Sequence, residues 1–220
     1  LSYLEKFKIF DSDKLVYLPD PIIVINDFRK KINDNNFKPE IELNFDFFLS
    51  VGRFSKQKNF GYLINEFENF FLKNKNIKLI IIGGGEEKNK LKKLIKNKNL
   101  EDNIFLLDRT ENVFHYMKRA KAFILSSLWE DPGFVLIESA LSNLFIISSN
   151  CPNGPKEILD YGKSGILYEN NKKNALSFSL EKYLSSGNVK NQKVQIKKNV
   201  KKYTQFRHFL KLDKFLKQLN

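Results

Sequence analysis

A series of short apolar runs, separated by longer amphipathic stretches, constrains the fold of this chain more than any other feature of its sequence. The runs are short and lack a polar face, which is typical of strands buried on both sides. The stretches between them, such as 59–73 and 86–99, place apolar residues at helical spacing. Strands that alternate with helices predict an α/β fold, in which a parallel sheet with right-handed crossovers carries helices on both faces. The predicted strands are 45–51, 77–82, 103–107, 121–126, 143–149 and 165–168.

The two ends of the chain depart from this pattern. Residues 13–21 have the pattern of a short strand that ends in a proline-bounded turn, and residues 33–40 read as a polar linker. After residue 170 the sequence is helical and rich in lysine, and 201–219 predict an amphipathic last helix.

The composition permits a sizeable core and argues against two classes of protein. Of the 220 residues, 42% are hydrophobic, which is enough to build a buried core. No apolar run reaches the roughly 18 residues of a membrane-spanning helix. A single cysteine, Cys151, excludes an internal disulfide framework and fits a reducing compartment such as the cytoplasm, where we predict the protein to act.

The net charge of +13 has two interpretations. It could attract a polyanionic partner such as nucleic acid, an acidic membrane surface or a phosphorylated ligand. However, lysine is enriched together with asparagine, isoleucine and phenylalanine, and the lysines are spread along the chain rather than gathered in one stripe. We therefore favour a compositional origin, and in the absence of any nucleic-acid-binding motif we predict no nucleic-acid partner.

The loop after the first predicted strand combines a glycine with two cations. Ligands of parallel α/β sheets bind at the carboxyl ends of the strands, so the loops that follow strands are the candidate site. Gly52 permits a tight turn, and Arg53 and Lys58 precede a helix predicted to start near Asn59. Cations beside a helix N-terminus suit a diphosphate, because fixed charge and free N–H groups meet at the same oxygens. A solvated basic loop would explain the same residues.

The next two loops give weaker signals. Gly83, Gly84 and Gly85 follow the second strand and would let the backbone approach a ligand closely, but no Gly-Lys-Ser/Thr follows, so the stretch is not a P-loop. A plain glycine turn between strand and helix is equally consistent with them. After the third strand, Arg109 or the neighbouring backbone of residues 108–110 could meet the edge of a base.

The loop after the fourth strand holds two carboxylates, Glu130 and Glu138, on either side of a Pro-Gly turn. The next helix is predicted to start with Asp131 as N-cap and Pro132 in the first position. Glu138 would then lie about one turn inside that helix. Carboxylates suit sugar hydroxyls, since each oxygen accepts hydrogen bonds. For either glutamate alone, a capping or surface role competes with this interpretation.

The remaining reactive side chains have no support as catalytic groups. Cys151 lies in a turn before a helix predicted to begin near Pro155, and no histidine is close to it in the sequence. His115 and His208 lie on predicted helices among apolar neighbours, where a packed histidine is expected. No cluster has the spacing of metal ligands.

Four segments, in this order and spacing, resemble the C-terminal half of retaining GT-B glycosyltransferases of family 4. Glu130 and Glu138 form the Glu-x7-Glu pair that is the hallmark of that family. The resemblance implies that the parallel sheet is Rossmann-like and is the C-terminal half of a GT-B fold. The segments are VGRFSKQKNF (51–60), IIGGGEE (81–87), SSLWEDPGFVLIES (126–139) and SNCPNGPKEIL (149–159).

In that family this half binds the nucleotide-sugar donor, and the resemblance implies roles for individual residues. Arg53 and Lys58 would hold the donor diphosphate and stabilise the charge on the leaving nucleoside diphosphate. Glu138 would hold the ribose hydroxyls, and Glu130 the transferred sugar, so Glu130, Arg53 and Lys58 would be the catalytic residues. The family chemistry implies no metal and no cofactor. Further donor contacts are implied for Gly84, Arg109, Gly133, Phe134 and Val135.

The resemblance also implies a division of the chain. Residues 1–44 would be the remnant of an N-terminal domain, beginning with its last helix, then the linker and a first strand. Residues 45–185 would bind the nucleotide sugar, and 186–220 would cross back to the N-terminal domain. Because the sequence begins with Leu1 rather than Met, we expect that domain and its acceptor site upstream. The sequence departs from the family at one point. The family usually has Gly-Phe directly after the first glutamate, whereas this chain has Asp131-Pro132 there and Gly-Phe at 133 and 134, so the loop near the sugar would have a different shape.

Two functions follow from these expectations. The first is the donor-binding domain of an enzyme that transfers a hexose or N-acetylhexosamine, with retention, from a UDP-sugar to a glycan or lipid-linked acceptor. A lipid-linked acceptor would also imply peripheral contact with the inner face of a membrane. The second is a non-catalytic module that binds a nucleotide and depends on a partner chain.

Overall fold

The computed structural model describes residues 15–186 and 189–218, which divide between two compact units. The smaller unit contains residues 15–25 and 201–218, and the larger contains 26–186 and 189–200. The strands are β1 Asp46–Val51, β2 Ile77–Ile82, β3 Ile104–Leu107, β4 Ala122–Leu125, β5 Phe145–Ser149 and β6 Ile166–Tyr168. The α-helices are α1 Ile25–Ile32, α2 Phe60–Phe71, α3 Lys88–Asn97, α4 Val113–Arg119, α5 Phe134–Leu141, α6 Pro155–Ile158, α7 Ala175–Ser185, α8 Val189–Asn199 and α9 Gln205–Leu216.

The strands of the larger unit form one six-stranded sheet in the order β3-β2-β1-β4-β5-β6, and every pairing is parallel. This is the order of a doubly wound Rossmann-like sheet, in which the direction of winding reverses between β1 and β4. The predicted α/β fold with a parallel sheet is confirmed. Each predicted strand is present, with ends that move inward by up to two residues.

Both faces of the sheet are covered by helices, as the uninterrupted apolar runs predicted. Along β1 the side chains of residues 47–50 are all buried, although alternate residues point to opposite faces. Phe48 belongs to a core that includes Phe67 of α2 and Leu180 of α7. This arrangement fixes the ends of the strands rigidly and leaves their carboxyl-end loops as the surface on which a site can be built.

In the smaller unit, α9 is joined to an extended segment. Ile23 forms an isolated parallel bridge with Thr204, the N-cap of α9, and the imidazole of His208 hydrogen-bonds the carbonyl oxygen of Pro19 at 2.8 Å. The predicted strand at 13–21 is wrong for residues 15–21, which form no strand pairing, while residues 13 and 14 lie outside the described part of the chain. Two prolines in this stretch remove the N–H donors that a strand needs.

The helix implied at the start of residues 1–44 also falls on residues outside the described ones. The predicted domain boundaries at 44 and 185 stay predictions. No helix formed by residues 15–186 or 189–218 combines the length and the apolar content that a bilayer crossing requires.

Candidate functional site

The candidate site lies where the carboxyl ends of β1 and β4 meet. These strands are hydrogen-bonded neighbours at the point where the winding of the sheet reverses, which is where ligands of doubly wound sheets bind. The loop after β1 runs to Asn59, and the loop after β4 runs to Gly133. Arg53, Lys58, Glu130 and Gly133 lie on these two loops, and the other predicted residues lie on α5 or on the loops after β2 and β3.

The loop after β1 carries Lys58 across the end of its own strand. A 3-10 turn at Lys56–Lys58 precedes α2, which begins at Phe60 with Asn59 as N-cap in a left-handed conformation, close to the predicted start. A Cβ placed on Gly52 would lie 3.2 Å from the side-chain carbons of Lys58. The lysine stem therefore packs on Gly52, and a larger residue there would force the ammonium group to move.

Lys58 forms an ion pair with Glu130, one of the two predicted carboxylates. The distance between Lys58 Nζ and Glu130 Oε1 is 2.6 Å, and the two side chains are only 16% and 4% exposed. Ser127 Oγ donates a hydrogen bond to the same carboxylate oxygen. The second oxygen, Oε2, has no hydrogen-bond partner among residues 15–186 and 189–218. It is the acceptor of this carboxylate that remains available to a ligand.

Hydrogen bonds hold the loop after β4 between the loops that follow β1 and β5. Ser126 Oγ donates to the carbonyl oxygen of Lys58 at 2.7 Å, and Leu128 N donates to the carbonyl oxygen of Gln57 at 2.8 Å. On the other side, Glu130 N donates to the carbonyl oxygen of Pro152 at 3.1 Å. Glu130 is therefore held by its backbone as well as by its side chain.

The predicted start of α5 is wrong by two residues. The N-cap is Gly133, with φ 89°, and the helix begins at Phe134, whereas Asp131 and Pro132 precede it in the loop. The displaced Gly-Phe pair thus stands at the helix start itself. The amides of residues 133–135 have no acceptor among the residues that the structure describes, as expected of a first turn. A Cβ on Gly133 would lie 3.4 Å from Cγ of Glu130, so these amides open beside the buried carboxylate.

Glu138, the second carboxylate, lies on α5 one turn beyond these amides. Its side chain is half-buried, and desolvation raises the pKa of its carboxyl above the usual range, while the nearby charge of Lys31 acts in the opposite direction. Within the described part of the chain its carboxylate makes no hydrogen bond or ion pair. A desolvated carboxylate that makes no hydrogen bond can accept hydrogen bonds from the hydroxyl groups of a ligand.

Arg53, the second predicted cation, lies in a different environment from Lys58. It pairs with Glu86 at 3.3 Å, and the two side chains are 67% and 58% exposed. Arg53 lines an open pocket of about 390 Å³ at the carboxyl ends of β1, β2 and β3, together with Arg109 of the third loop. The structure therefore brings Arg53 and Arg109 to one pocket and pairs Lys58 with the loop after β4. The remaining lining residues are Val51, Gly52, Ile82, Gly83, Thr110 and Val113.

The glycines after β2 pack against the loop after β1. A Cβ on Gly83 would lie 1.9 Å from the carbonyl oxygen of Gly52, and one on Gly85 would lie 2.6 Å from that of Phe54. The amide of Phe54 donates to the carbonyl oxygen of Gly84 at 2.9 Å. Of the two interpretations left open, close packing between loops accounts for Gly83 and Gly85. Gly84 faces Arg109, since its Cβ would lie 3.7 Å from the arginine Nε.

Three polar residues of the site were not predicted from the sequence. Ser126 and Ser127 follow β4 directly, and a pair of serines at a buried strand end is the signal that marks them. Asn170, after β6, donates to the carbonyl oxygen of Leu128 at 3.0 Å, while its buried Oδ1 has no partner in the described residues. No local pattern identifies Asn170.

His115 and Cys151, which have no support from the sequence as catalytic groups, are buried, whereas His208 is half-buried and bonds the carbonyl oxygen of Pro19. His115 lies buried in α4, where burial, Arg119 and Lys118 lower the pKa of its imidazole. Burial raises the pKa of the Cys151 thiol, which makes it a poor nucleophile. Residues 15–186 and 189–218 bring together no group of three His, Cys, Asp or Glu side chains that could hold a metal ion.

Comparison with known proteins gives one family. The family described as "Glycosyl transferases group 1" matches residues 31–203. An uncharacterized glycosyltransferase of Methanocaldococcus jannaschii is 37% identical over 172 residues, which cover 72% of this chain and 40% of that protein. A Campylobacter jejuni enzyme, named as an N-acetylgalactosamine-N,N'-diacetylbacillosaminyl-diphospho-undecaprenol 4-alpha-N-acetylgalactosaminyltransferase, is 31% identical over 151 residues, which cover 69% of this chain and 40% of the enzyme. The chain thus spans well under half the length of these relatives.

Solved structures agree on the fold. A TarM variant from S. aureus, solved with fondaparinux, alpha-GlcNAc-glycerol and UDP, superposes with a TM-score of 0.76 at 21% identity and covers 99% of this chain and 42% of that one. The lipopolysaccharide outer core galactosyltransferase WaaB gives a TM-score of 0.72 at 20% identity over 99% of this chain and 59% of that one. At these identities the likeness establishes the architecture of a GT-B glycosyltransferase half.

Proposed function

Because this chain belongs to the glycosyl transferases group 1 family, we propose that it is the donor-binding domain of a retaining hexosyltransferase that uses a nucleotide sugar. The observation that carries the proposal is the set of polar groups near the carboxyl ends of two neighbouring strands. The half-buried Lys58 and the unpaired amides of residues 133–135 lie in the loops after β1 and β4 and at the start of α5, and the carboxylate of Glu138, which makes no hydrogen bond, follows one turn along α5. This set matches the charges and hydroxyl groups of a nucleoside diphosphate sugar.

Each part of the donor would meet a group of the right chemistry. The diphosphate would lie against Lys58 and the first amides of α5, and Arg53 would approach it from the neighbouring pocket. Glu138 would accept hydrogen bonds from the ribose hydroxyls. The base would enter the pocket that Arg53 shares with Arg109, and Glu130 Oε2 would accept from a hydroxyl of the sugar.

The same groups would supply the chemistry of transfer. When the bond between the sugar and the diphosphate breaks, negative charge grows on the departing phosphate oxygens. Lys58, Arg53 and the helix N-terminus are fixed before that charge appears, so they stabilise the transition state more than the ground state. Cations and amides of the chain thus take the role that a metal ion has in other transferases, and we propose metal-independent transfer.

The donor and acceptor are proposed from the named relatives. The Campylobacter jejuni relative is named for transfer of N-acetylgalactosamine to an undecaprenol-linked acceptor, and another relative, from Staphylococcus aureus, is named as a poly(ribitol-phosphate) alpha-N-acetylglucosaminyltransferase. We therefore propose a hexose or N-acetylhexosamine carried by UDP and a glycan or lipid-linked acceptor. An N-terminal domain outside this chain would bind the acceptor and bring the enzyme to the inner face of a membrane.

The direct test is calorimetric titration of the chain with UDP, GDP and ADP. Binding of one diphosphate, weakened by about tenfold or more in both Glu138→Ala and Lys58→Ala, is expected if each side chain contributes a charged hydrogen bond. No binding to a folded chain would reject the donor-site proposal.

A second function is proposed because every polar group described above is assigned to the donor and none to an acceptor. In that case the chain is a nucleotide-binding module without transfer activity of its own. Incubation with the UDP-sugar that binds tightest separates the two functions. Release of UDP, lost in Lys58→Ala, indicates catalysis, whereas tight binding without release indicates a module.

A further inference from the structure

The two cations assigned to the diphosphate are already paired in very different ways. Arg53 pairs with Glu86 at the surface, where water screens the charges and the contact contributes little. Lys58 pairs with Glu130 in a nearly closed environment, at 2.6 Å and with the carboxylate side chain only 4% exposed. A phosphate can replace Glu86 at almost no cost, but at Lys58 it must compete with a fixed carboxylate.

Glu130 is held in place independently of Lys58. Ser127 donates to Glu130 Oε1, and the backbone of Glu130 is bonded to Pro152. Ser127 is itself buried, and its carbonyl oxygen accepts from Ser149 Oγ at 2.7 Å. The carboxylate would therefore stay in position if Lys58 turned away from it. The lysine, in contrast, is anchored by a flexible stem that packs on Gly52.

We propose that Glu130 is the resident counterion of Lys58 and that the donor diphosphate displaces it. This inference rests on the proposed function and adds a regulation of the same site. In the empty site Glu130 neutralises Lys58 and thereby weakens the binding of a free nucleoside diphosphate. When the diphosphate binds Lys58, the carboxylate of Glu130 no longer pairs with a cation and accepts a hydrogen bond from a sugar hydroxyl instead. A complete nucleotide sugar satisfies both groups, whereas a bare diphosphate leaves Glu130 buried without a cation, so the pair favours the sugar-bearing donor over the product.

Substitution of a residue that contacts a ligand usually weakens binding, whereas substitution of Glu130 should tighten the binding of a nucleoside diphosphate. Glu130→Gln keeps the shape of the side chain and removes the charge that competes for Lys58. It should lower the Kd of the bound nucleoside diphosphate by about tenfold. Glu86→Gln is the matched control, because it removes the partner of the exposed cation, and it should change that Kd by less than about twofold.

The experiment is a double-mutant cycle in the full chain, measured by calorimetry. UDP, GDP and ADP are titrated into the unmutated chain, Glu130→Gln, Lys58→Met and the double variant, and the corresponding nucleosides serve as probes without phosphate. The tightening in Glu130→Gln should disappear in the Lys58→Met background and with nucleosides. If Glu130→Gln fails to fold, Glu130→Ala replaces it, since it also removes the charge that competes for Lys58.

Three results would overturn the inference. Unchanged or weaker diphosphate binding in Glu130→Gln would show that Glu130 does not compete for Lys58. Equal tightening with and without Lys58 would show simple repulsion between the carboxylate and the phosphates. If no diphosphate binds the unmutated chain or Glu130→Gln, the donor site itself is rejected, and the inference falls with it.

Discussion

Glu66 provides the sharpest prediction about stability, because a buried carboxylate on α2 caps a helix that is distant in sequence. Its two oxygens accept from the amide of Asn174 at 2.8 Å and the amide of Ser177 at 3.1 Å, at the start of α7. Asn174 is the N-cap of α7 but makes no capping bond with its own side chain. Glu66 is only 3% exposed, so no water replaces it easily.

The magnitude follows from these two bonds. Hydrogen bonds to a charged group contribute about 1.5–3 kcal/mol each, and the interaction of an anion with a helix N-terminus adds about 0.3–1 kcal/mol. Because the contributions are not fully additive, we expect Glu66→Ala to lower the free energy of unfolding by about 3–5 kcal/mol. Glu66→Gln retains one acceptor oxygen and should cost about 1–2 kcal/mol.

Urea unfolding followed by far-ultraviolet circular dichroism measures both variants. The control is Glu181→Ala on the same helix α7, which breaks a solvent-exposed pair with Lys73 and should cost less than about 1 kcal/mol. If Glu66→Ala costs no more than Glu181→Ala, the distant cap does not stabilise α7 and the reasoning is refuted.

Three further predictions concern the site and the core. Nucleotide affinity should weaken as the pH falls, because only the ionised carboxylate of Glu138 accepts from hydroxyls on both oxygens. Since burial raises the pKa of Glu138, the loss should begin above the usual titration range of a glutamate. Calorimetry at several pH values measures this dependence, and the same dependence in Glu138→Gln would contradict the prediction. Burial and the charge of Glu66 raise the pKa of Tyr62 to about 12. The folded state therefore binds the phenolic proton more tightly than the unfolded state. The contribution of Tyr62 to the free energy of unfolding should be fully present below pH ~10 and should be lost toward pH ~12. Urea unfolding should show a smaller loss of stability over this range in Tyr62→Phe, and an equal loss would show that other groups cause it. A Cβ on Gly154, where φ is +116°, would lie 1.8 Å from the carbonyl oxygen of Pro132, so Gly154→Ala should cost about 2–4 kcal/mol in urea unfolding. Gly61→Ala, on an open face of α2, should be neutral or stabilising, and similar costs for the two variants would contradict the steric argument.

The sheet was predictable from the sequence because its signal is local and repeated. Each strand is buried on both faces, so an apolar run such as 77–82 marks the strand directly, and β2 has those bounds. The helix α2 was likewise predicted, since its apolar residues recur at helical spacing directly after a loop that contains glycine. In both cases the residues that form an element also contain the information that specifies it.

Contacts between loops were not predictable in this way. Lys58 and Glu130 lie 72 residues apart, and nothing near either one indicates the ion pair. Asp131 and Pro132 have the local chemistry of a helix start, yet the helix begins later, and both lie in a loop that packs closely against Gly154 and is bonded to Pro152. Tertiary contacts override local propensity here. The binding rule for parallel sheets and the resemblance to a family indicated that these loops belong to one site, but neither indicated which side chains pair.

The contact between the glycines after β2 and the loop after β1 has a consequence for engineering. The carbonyl oxygens of Gly52 and Phe54 occupy the space that side chains on Gly83 and Gly85 would need, so neither loop can change its path while the other keeps its own. Loop 52–54 delivers Arg53, and loop 83–85 supports Arg109 through Gly84. A graft intended to reshape the pocket shared by Arg53 and Arg109 therefore has to transplant the two loops together, because a side chain on Gly83 or Gly85 fits only if the loop after β1 moves with it.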